Sequence, residues 1–260
     1  MSSEIKYLSP SQISKFRRCP RQWKFQYIDK LPDPAGEKAF IGSFVHIVLE
    51  KLMELPKGER LLAKAKEIAN ECWPGFTKDK GYKRLELDND GVRAFKWAAL
   101  DAINGLWDVE DPKEVDVLAT EERLSVPVSG VPFVGVVDRL DGNDDSIIVN
   151  DYKSGKAPGK SYERERLEQV MLYALAVNEV RGVMPEKVRL LYLGQRIVES
   201  TVTKQKAANC RKRLVATWEA VNEARGSGEF PAKPNALCGW CPYLQRCEAG
   251  QVHVMEGRRM

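Results

Sequence analysis

The stretch from Gly135 to Lys153 constrains this chain more than any other. It reads Gly135-Val-Val-Asp138-Arg-Leu140, then a turn at Asp141-Gly142-Asn143-Asp144-Asp145, then Ile147-Ile-Val-Asn-Asp151-Tyr-Lys153. Side chains alternate along a strand, so Val134, Val136, Asp138 and Leu140 share one face. Ile147, Val149, Asp151 and Lys153 share a face of the next strand. Both sets are largely apolar and look toward a core. Pairing them across a hairpin brings Asp138 and Asp151 to the same inward side, although the sequence leaves the register open. Two inward carboxylates repel each other and are costly to bury. A hard divalent cation with oxygen ligands relieves both costs, and Lys153 adds a positive charge beside it. Carboxylates, a divalent metal and a lysine are the parts that phosphodiester hydrolysis needs. The competing reading is a solvent-facing hairpin end with ordinary charges.

Around this hairpin, 260 residues allow one or two domains. With 43% hydrophobic and 30% charged residues, the chain is globular rather than disordered. The apolar run Val170 to Val177 is too short to span a membrane, and the N-terminus lacks a signal-peptide core. A cytoplasmic protein without membrane contact is expected. The net charge of +4 permits nucleic-acid binding without arguing for it. Helices are predicted at about Gln12 to Tyr27, Phe40 to Met53, Glu59 to Cys72 and Asp90 to Trp107. Strands follow at Val115 to Val128, Pro132 to Leu140 and Ile147 to Lys153. Then come a helix at Tyr162 to Val180, strands at Lys187 to Leu193 and Ile197 to Val202, and a helix at Lys204 to Arg225. This order predicts an α/β protein, a mixed sheet flanked by helices with a helical N-terminal elaboration. The expected organisation is one compact unit of three regions: 1–112 helical, 113–225 the α/β core, and 226–260 a Gly-, Pro- and Cys-rich tail. That tail needs something other than a core to order it.

Cys238-x2-Cys241-x5-Cys247 supplies three closely spaced soft ligands, and a tetrahedral metal or a cubane cluster needs a fourth. Cys19, Cys72 and Cys210 are the candidates, and spacing leaves zinc and [4Fe-4S] both open. Lys15, Arg17, Arg18, Arg21, Lys24 and Lys30 concentrate positive charge around Cys19, interleaved with Phe16, Trp23, Phe25 and Tyr27. Such a mixture suits DNA, with Arg17, Arg18, Arg21 and Lys24 as the contacts, or a solvated basic face over a packed aromatic one. Ser154 to Ser161 is one residue from a phosphate-binding P-loop, but no later strand ends in an acid that would hold Mg2+ for a nucleotide.

Several motifs stand in a shared order. They are Ser9-Pro10-Ser11 through Phe16-Arg17-Arg18-Cys19-Pro20, Gly42-Ser43-Phe44-Val45-His46, Asp138, Asp151-Tyr152-Lys153, Gln169-Val-Met-Leu-Tyr173, and the three tail cysteines. Together, over about residues 8 to 250, they resemble the RecB-type exonuclease branch of the PD-(D/E)XK nuclease superfamily. That branch includes CRISPR spacer-acquisition exonucleases and recombination nucleases. The superfamily's leading Pro-Asp is Val137-Asp138 here. The resemblance implies a restriction-endonuclease-like core and a metal-dependent DNA exonuclease acting on single strands or strand ends. It implies that His46, Asp138, Asp151 and the Tyr152 carbonyl hold Mg2+ or Mn2+, with Lys153 as the catalytic lysine. Gln169 and Tyr173 would line the site and position DNA. Cys19 would join Cys238, Cys241 and Cys247 on a [4Fe-4S] cluster, with Cys210 as the runner-up. Glu121 or Glu122 approaches the site from a neighbouring strand, and parity does not say which. Possible settings are recombination, repair, phage DNA processing and CRISPR adaptation, with a helicase, recombination or CRISPR adaptation protein as partner. The alternative is a catalytically silent DNA-end-binding module.

Overall fold

A computed structural model describes residues 5–33 and 35–257. Fourteen regular elements are described. They are α1 (Pro10–Arg18), α2 (Pro20–Tyr27), α3 (Glu37–Met53), α4 (Leu62–Phe76), α5 (Lys80–Lys83), α6 (Asn89–Asn104), β1 (Val117–Val128), β2 (Val131–Gly142), β3 (Ile147–Lys153), α7 (Lys160–Arg181), β4 (Lys187–Tyr192), β5 (Arg196–Thr201), α8 (Lys204–Ser227) and α9 (Glu248–Gly257). The strands form one mixed sheet in the order β1-β2-β3-β4-β5. β2 and β3 are antiparallel, β3 and β4 parallel, and β4 and β5 antiparallel. The parallel pair requires a crossover, which α7 supplies, packing on β3, β4 and β5.

The first predicted helix is two helices. Cys19 is extended (φ −159°, ψ 104°), ending α1 and starting α2. Pro20 explains the break, because a residue before proline is pushed out of the helical region. The tail also gains a helix, α9, that its Gly/Pro content did not announce. β2 differs in its alternation. Val131, Phe133 and Val137 are 0–1% exposed, and Asp138, Arg139, Leu140 and Asp141 are all buried. From Val137 on, β2 is therefore buried on both faces.

Contacts divide the described chain into two compact units. One draws on Met1–Asp33, Pro127–Val134 and Ala208–Met260, the other on Pro34–Val126 and Gly135–Ala207. The second holds the larger apolar core. Phe44, Val48 and Leu52 of α3, Ile68 of α4, and Phe95 and Ile103 of α6 pack in one cluster with Tyr152, Leu191 and Leu193 of the sheet region. A Cβ on Gly105, at the end of α6, would stand 2.3 Å from the Gly194 nitrogen, so only glycine admits this close approach. In the first unit, Trp23 is fully buried, stacked 6.0 Å from Phe230 and edge-on to Phe16. Leu8 pairs with the β1–β2 tip, donating to Pro132 O (2.9 Å) and accepting from Val134 N (3.0 Å). Arg17 donates to Thr217 Oγ1 and Arg213 O, and Arg21 to Phe230 O. In this unit, arginine bonds to backbone carbonyls thus add to buried apolar packing.

Candidate active site

The β2–β3 ladder fixes the register that the sequence left open. Arg139 pairs with Asn150 and Leu140 with Val149, so Asp138 and Asp151 are the next opposed pair. The Tyr152 amide donates to Asp138 Oδ2 at 2.7 Å, locking that carboxylate against the strand edge. Asp138 is 9% and Asp151 3% exposed. α3 brings His46 to them. Its Nε2–H donates to the Tyr152 carbonyl (3.1 Å), while Nδ1 lies 3.4 Å from Asp138 Oδ2. A Cβ on Gly42, one turn earlier, would stand 3.3 Å from Ser154 Oγ, so α3 runs close to the loop after β3 there.

Asp151 forms an ion pair with Lys153. Burial pushes the Asp151 carboxyl up, Lys153 opposes this, and the Asp138 charge reinforces it. Burial presses the Lys153 ammonium toward neutrality, but Asp151 outweighs it and the pKa ends above its ordinary value. The lysine is therefore charged at neutral pH. Burial also lowers the His46 pKa, and the hydrogen bond and charge of Asp138 more than reverse that.

Glu121 resolves the choice between the adjacent glutamates. It adopts a left-handed backbone (φ 44°) within β1, which breaks strand alternation. Ligand atoms of His46, Glu121 and Asp138 lie within 4.8 Å of one another. Burial, then the Asp138 charge, raise the Glu121 carboxyl to about 7. Glu122 instead accepts from Arg181 at 2.6 Å. Asp151 stands beside this trio rather than in it, directed at Lys153. The trio opens on a cleft of about 580 Å³, lined also by Glu50, Tyr152 and Lys153. Convergent carboxylates with an imidazole and a backbone carbonyl fit a divalent cation. α7 adds Tyr173, which hydrogen bonds with Gln169 and feels the charges of Asp151 and Asp138; burial pushes its phenol well up, keeping it protonated.

A buried polar network lies behind the carboxylates and was not foreseen. Arg139, with no exposed surface, donates to Glu110 Oε1 and Oε2 (2.5 and 2.9 Å), Asp141 Oδ1 and Oδ2 (2.7 and 2.9 Å) and the Tyr152 hydroxyl (2.6 Å). Asn150 also donates to Asp141 (2.8 Å). Its only sequence signal was the excess of polar residues at Arg139, Asp141 and Asn150 within otherwise apolar strands.

The cysteines belong to the first unit. Cys19, Cys238, Cys241 and Cys247 line one cavity of about 220 Å³, whereas Cys72 and Cys210 do not line it. Burial pushes the Cys241 thiol up, and the neighbouring Cys19, Cys238 and Cys247 add to this. The four cysteines that the resemblance grouped as one ligand set therefore line the same cavity. Among the expected DNA contacts, Arg17 and Arg21 hold backbone carbonyls of α8 and the tail, and Lys24 pairs with Asp29. Arg18 is exposed and donates to Gln22. The P-loop-like run is a loop tied to Gln195, which accepts from the Ala157 amide and donates to Gly155 O. Among the described residues, no helix is long and apolar enough to cross a membrane.

The chain is 22% identical over 285 residues to the gene 69 protein of Mycobacterium phage L5, covering 92% of this chain and 95% of the phage protein. A solved structure of a Eubacterium rectale protein, described as a candidate exonuclease, aligns with a TM-score of 0.42 at 11% identity, over 91% of this chain and 93% of that one. A sequence model of the PD-(D/E)XK nuclease superfamily matches residues 7–248. The chain belongs to the PD-(D/E)XK nuclease superfamily.

Proposed function

We propose that this chain is a metal-dependent deoxyribonuclease of the RecB-type branch, working as an exonuclease on single-stranded DNA or strand ends. The observation that carries this reading is the convergence of His46, Glu121 and Asp138 on an open cleft, with the Asp151–Lys153 pair beside them. His46, Asp138, Asp151 and the Tyr152 carbonyl, joined by Glu121, would hold Mg2+ or Mn2+. When bound, such a cation lowers the pKa of a water ligand and offsets charge on the phosphate. Lys153 places an ammonium where negative charge builds on the phosphate oxygens. Asp151 keeps that ammonium charged and oriented. Asp138 is held by the Tyr152 amide, so it needs no reorganisation as the substrate arrives. Tyr173 and Gln169 would position the DNA strand.

Cys19, Cys238, Cys241 and Cys247 would hold a [4Fe-4S] cluster, joining the N-terminal helices to the tail within their unit. Four cysteines lining one cavity support this. The likeness to a phage protein favours phage DNA processing among the settings considered, with recombination, repair and CRISPR adaptation behind it. A helicase, recombination or CRISPR adaptation protein would supply the unwinding. The intact Asp138, Asp151 and Lys153 argue against a catalytically silent DNA-end-binding module.

The test uses end-labelled linear and internally labelled circular single strands with Mn2+. Loss of linear DNA, sparing of circles, and complete arrest by a chelator are expected. Cutting of circles would remove the exonuclease assignment, and cutting that survives chelation would remove the metal.

A further inference from the structure

Among the described residues, the most exposed large hydrophobic side chain is Trp240, at 81%. It ends the short 3-10 turn Cys238–Trp240. The Trp240 amide donates to Leu237 O, and the Cys241 amide to Cys238 O, so the turn is closed. Cys238 and Cys241 flank the indole and both line the cysteine cavity. Leu237 beside it is 52% exposed. An indole has a large apolar area and is among the worst side chains to leave in water. The cavity lining carries Arg18, Arg21 and Lys233 and no carboxylate. Trp97 makes the contrast. It is 70% exposed, but on α6 it stands among charges of both signs, Asp101 on one side and Arg93, paired with Asp90, on the other.

We propose that Trp240 is a stacking platform for an unpaired base of single-stranded DNA, with Arg18 and Lys233 meeting the adjoining phosphates. An exposed aromatic beside cations with no carboxylate in the shared lining is the arrangement by which proteins hold single strands without sequence preference. A duplex offers no base face except at its ends, so the platform selects single strands and frayed ends. The choice of nucleic acid over other polyanions rests on the nuclease reading above.

The experiment measures fluorescence anisotropy of a labelled fifteen-residue oligo(dT) with the full chain in metal-free buffer, where no cleavage competes. Trp240→Ala is expected to weaken binding about tenfold to a hundredfold, the range for losing one base–aromatic stack. Trp240→Phe restores most of it, Trp97→Ala leaves it unchanged, and blunt duplex binding is spared throughout. Arg18→Ala lowers the salt slope by about 0.7, whereas Trp240→Ala does not change it. In the unmodified chain, oligo(dT) carrying 5-iododeoxyuridine should crosslink at Trp240, which keeps the test decisive if a variant folds poorly. Wild-type affinity in a folded Trp240→Ala protein would overturn the platform, as would equal loss of single-strand and duplex binding. Crosslinks only elsewhere, or Trp240-dependent self-association without DNA binding, would do the same. Retained metal-dependent cleavage alongside any of these would sink the platform alone. A wild-type chain that neither binds nor cuts DNA would sink the nuclease reading with it.

Discussion

The unit that carries the carboxylates and the unit that carries the cysteines are stabilised by different means. In the first, α3, α4 and α6 bury a continuous aromatic and aliphatic cluster against the sheet, and the charged groups are held by that packing. In the second, the segment from Gly228 to Leu237 has no regular structure. It is held by Arg21, whose side chain donates to Phe230 O and whose amide donates to Pro231 O, and by Lys233, which donates to Arg17 O. The difference teaches where loss of a cofactor should be felt. Stripping the metal from a prepacked cleft removes chemistry and leaves the fold. Stripping a thiolate centre should instead loosen the cysteine tail from the N-terminal helices, while the buried side chains around Trp23 keep the rest of that unit folded.

The largest expected effect breaks the comparison at the cysteines. Linking Cys19 to Cys238 closes a loop of 238 − 19 = 219 residues. Such a closure is worth at most about 5 kcal/mol, comparable to a whole domain's stability. Purified protein should be brown, with about four irons per chain, as a [4Fe-4S] centre requires. Cys19→Ser and Cys238→Ser should lose the colour and open the tail to limited proteolysis, while Cys72→Ser keeps both. A colourless protein with one zinc would replace the cluster and keep the staple. Retained colour in Cys19→Ser would remove the staple.

Next comes Arg139→Ala, which acts on the other unit. It leaves Glu110 and Asp141 buried without their shared cation, and should cost about 3–5 kcal/mol in denaturant titration. Arg139→Met should cost clearly less if packing rather than charge is what the site needs. Equal stability of Arg139→Ala and wild type would show that the network is dispensable.

The smallest effect separates the two kinds of arginine beside Cys19. Arg17→Ala should lower stability by about 1–2 kcal/mol through its lost bonds to Thr217 and Arg213. Its effect on the salt dependence of DNA binding should be small. Arg18→Ala should do the reverse. Thermal melts and salt titrations read the two separately, and a stability loss confined to Arg18→Ala would invert the assignment.

The sequence made the hairpin legible because its pattern is local. Alternation put Asp138 and Asp151 on one side, and only the ladder could set them opposite each other. The Glu121–Glu122 ambiguity lay beyond any periodic argument, because the left-handed backbone at Glu121 breaks the period. The Arg139 network was invisible for a related reason: Glu110 lies 29 residues away, and nothing in spacing brings it to the strand. The split at Cys19 was readable from Pro20, whereas α9 was not, because Gly250 and Gly257 weaken its helical signal. Compositional reasoning on the basic segment found the charge but not its use, since Arg17 and Arg21 hold carbonyls of their own unit.

The most direct test of the central claim is the initial rate of Mn2+-dependent cleavage of end-labelled single-stranded DNA by Asp151→Ala, with its thermal melt measured beside it. A fall of about a hundredfold or more with an unchanged melt is the predicted result. A rate within about twofold of wild type, in a protein that is equally folded, would contradict the assignment of this hairpin as the active site.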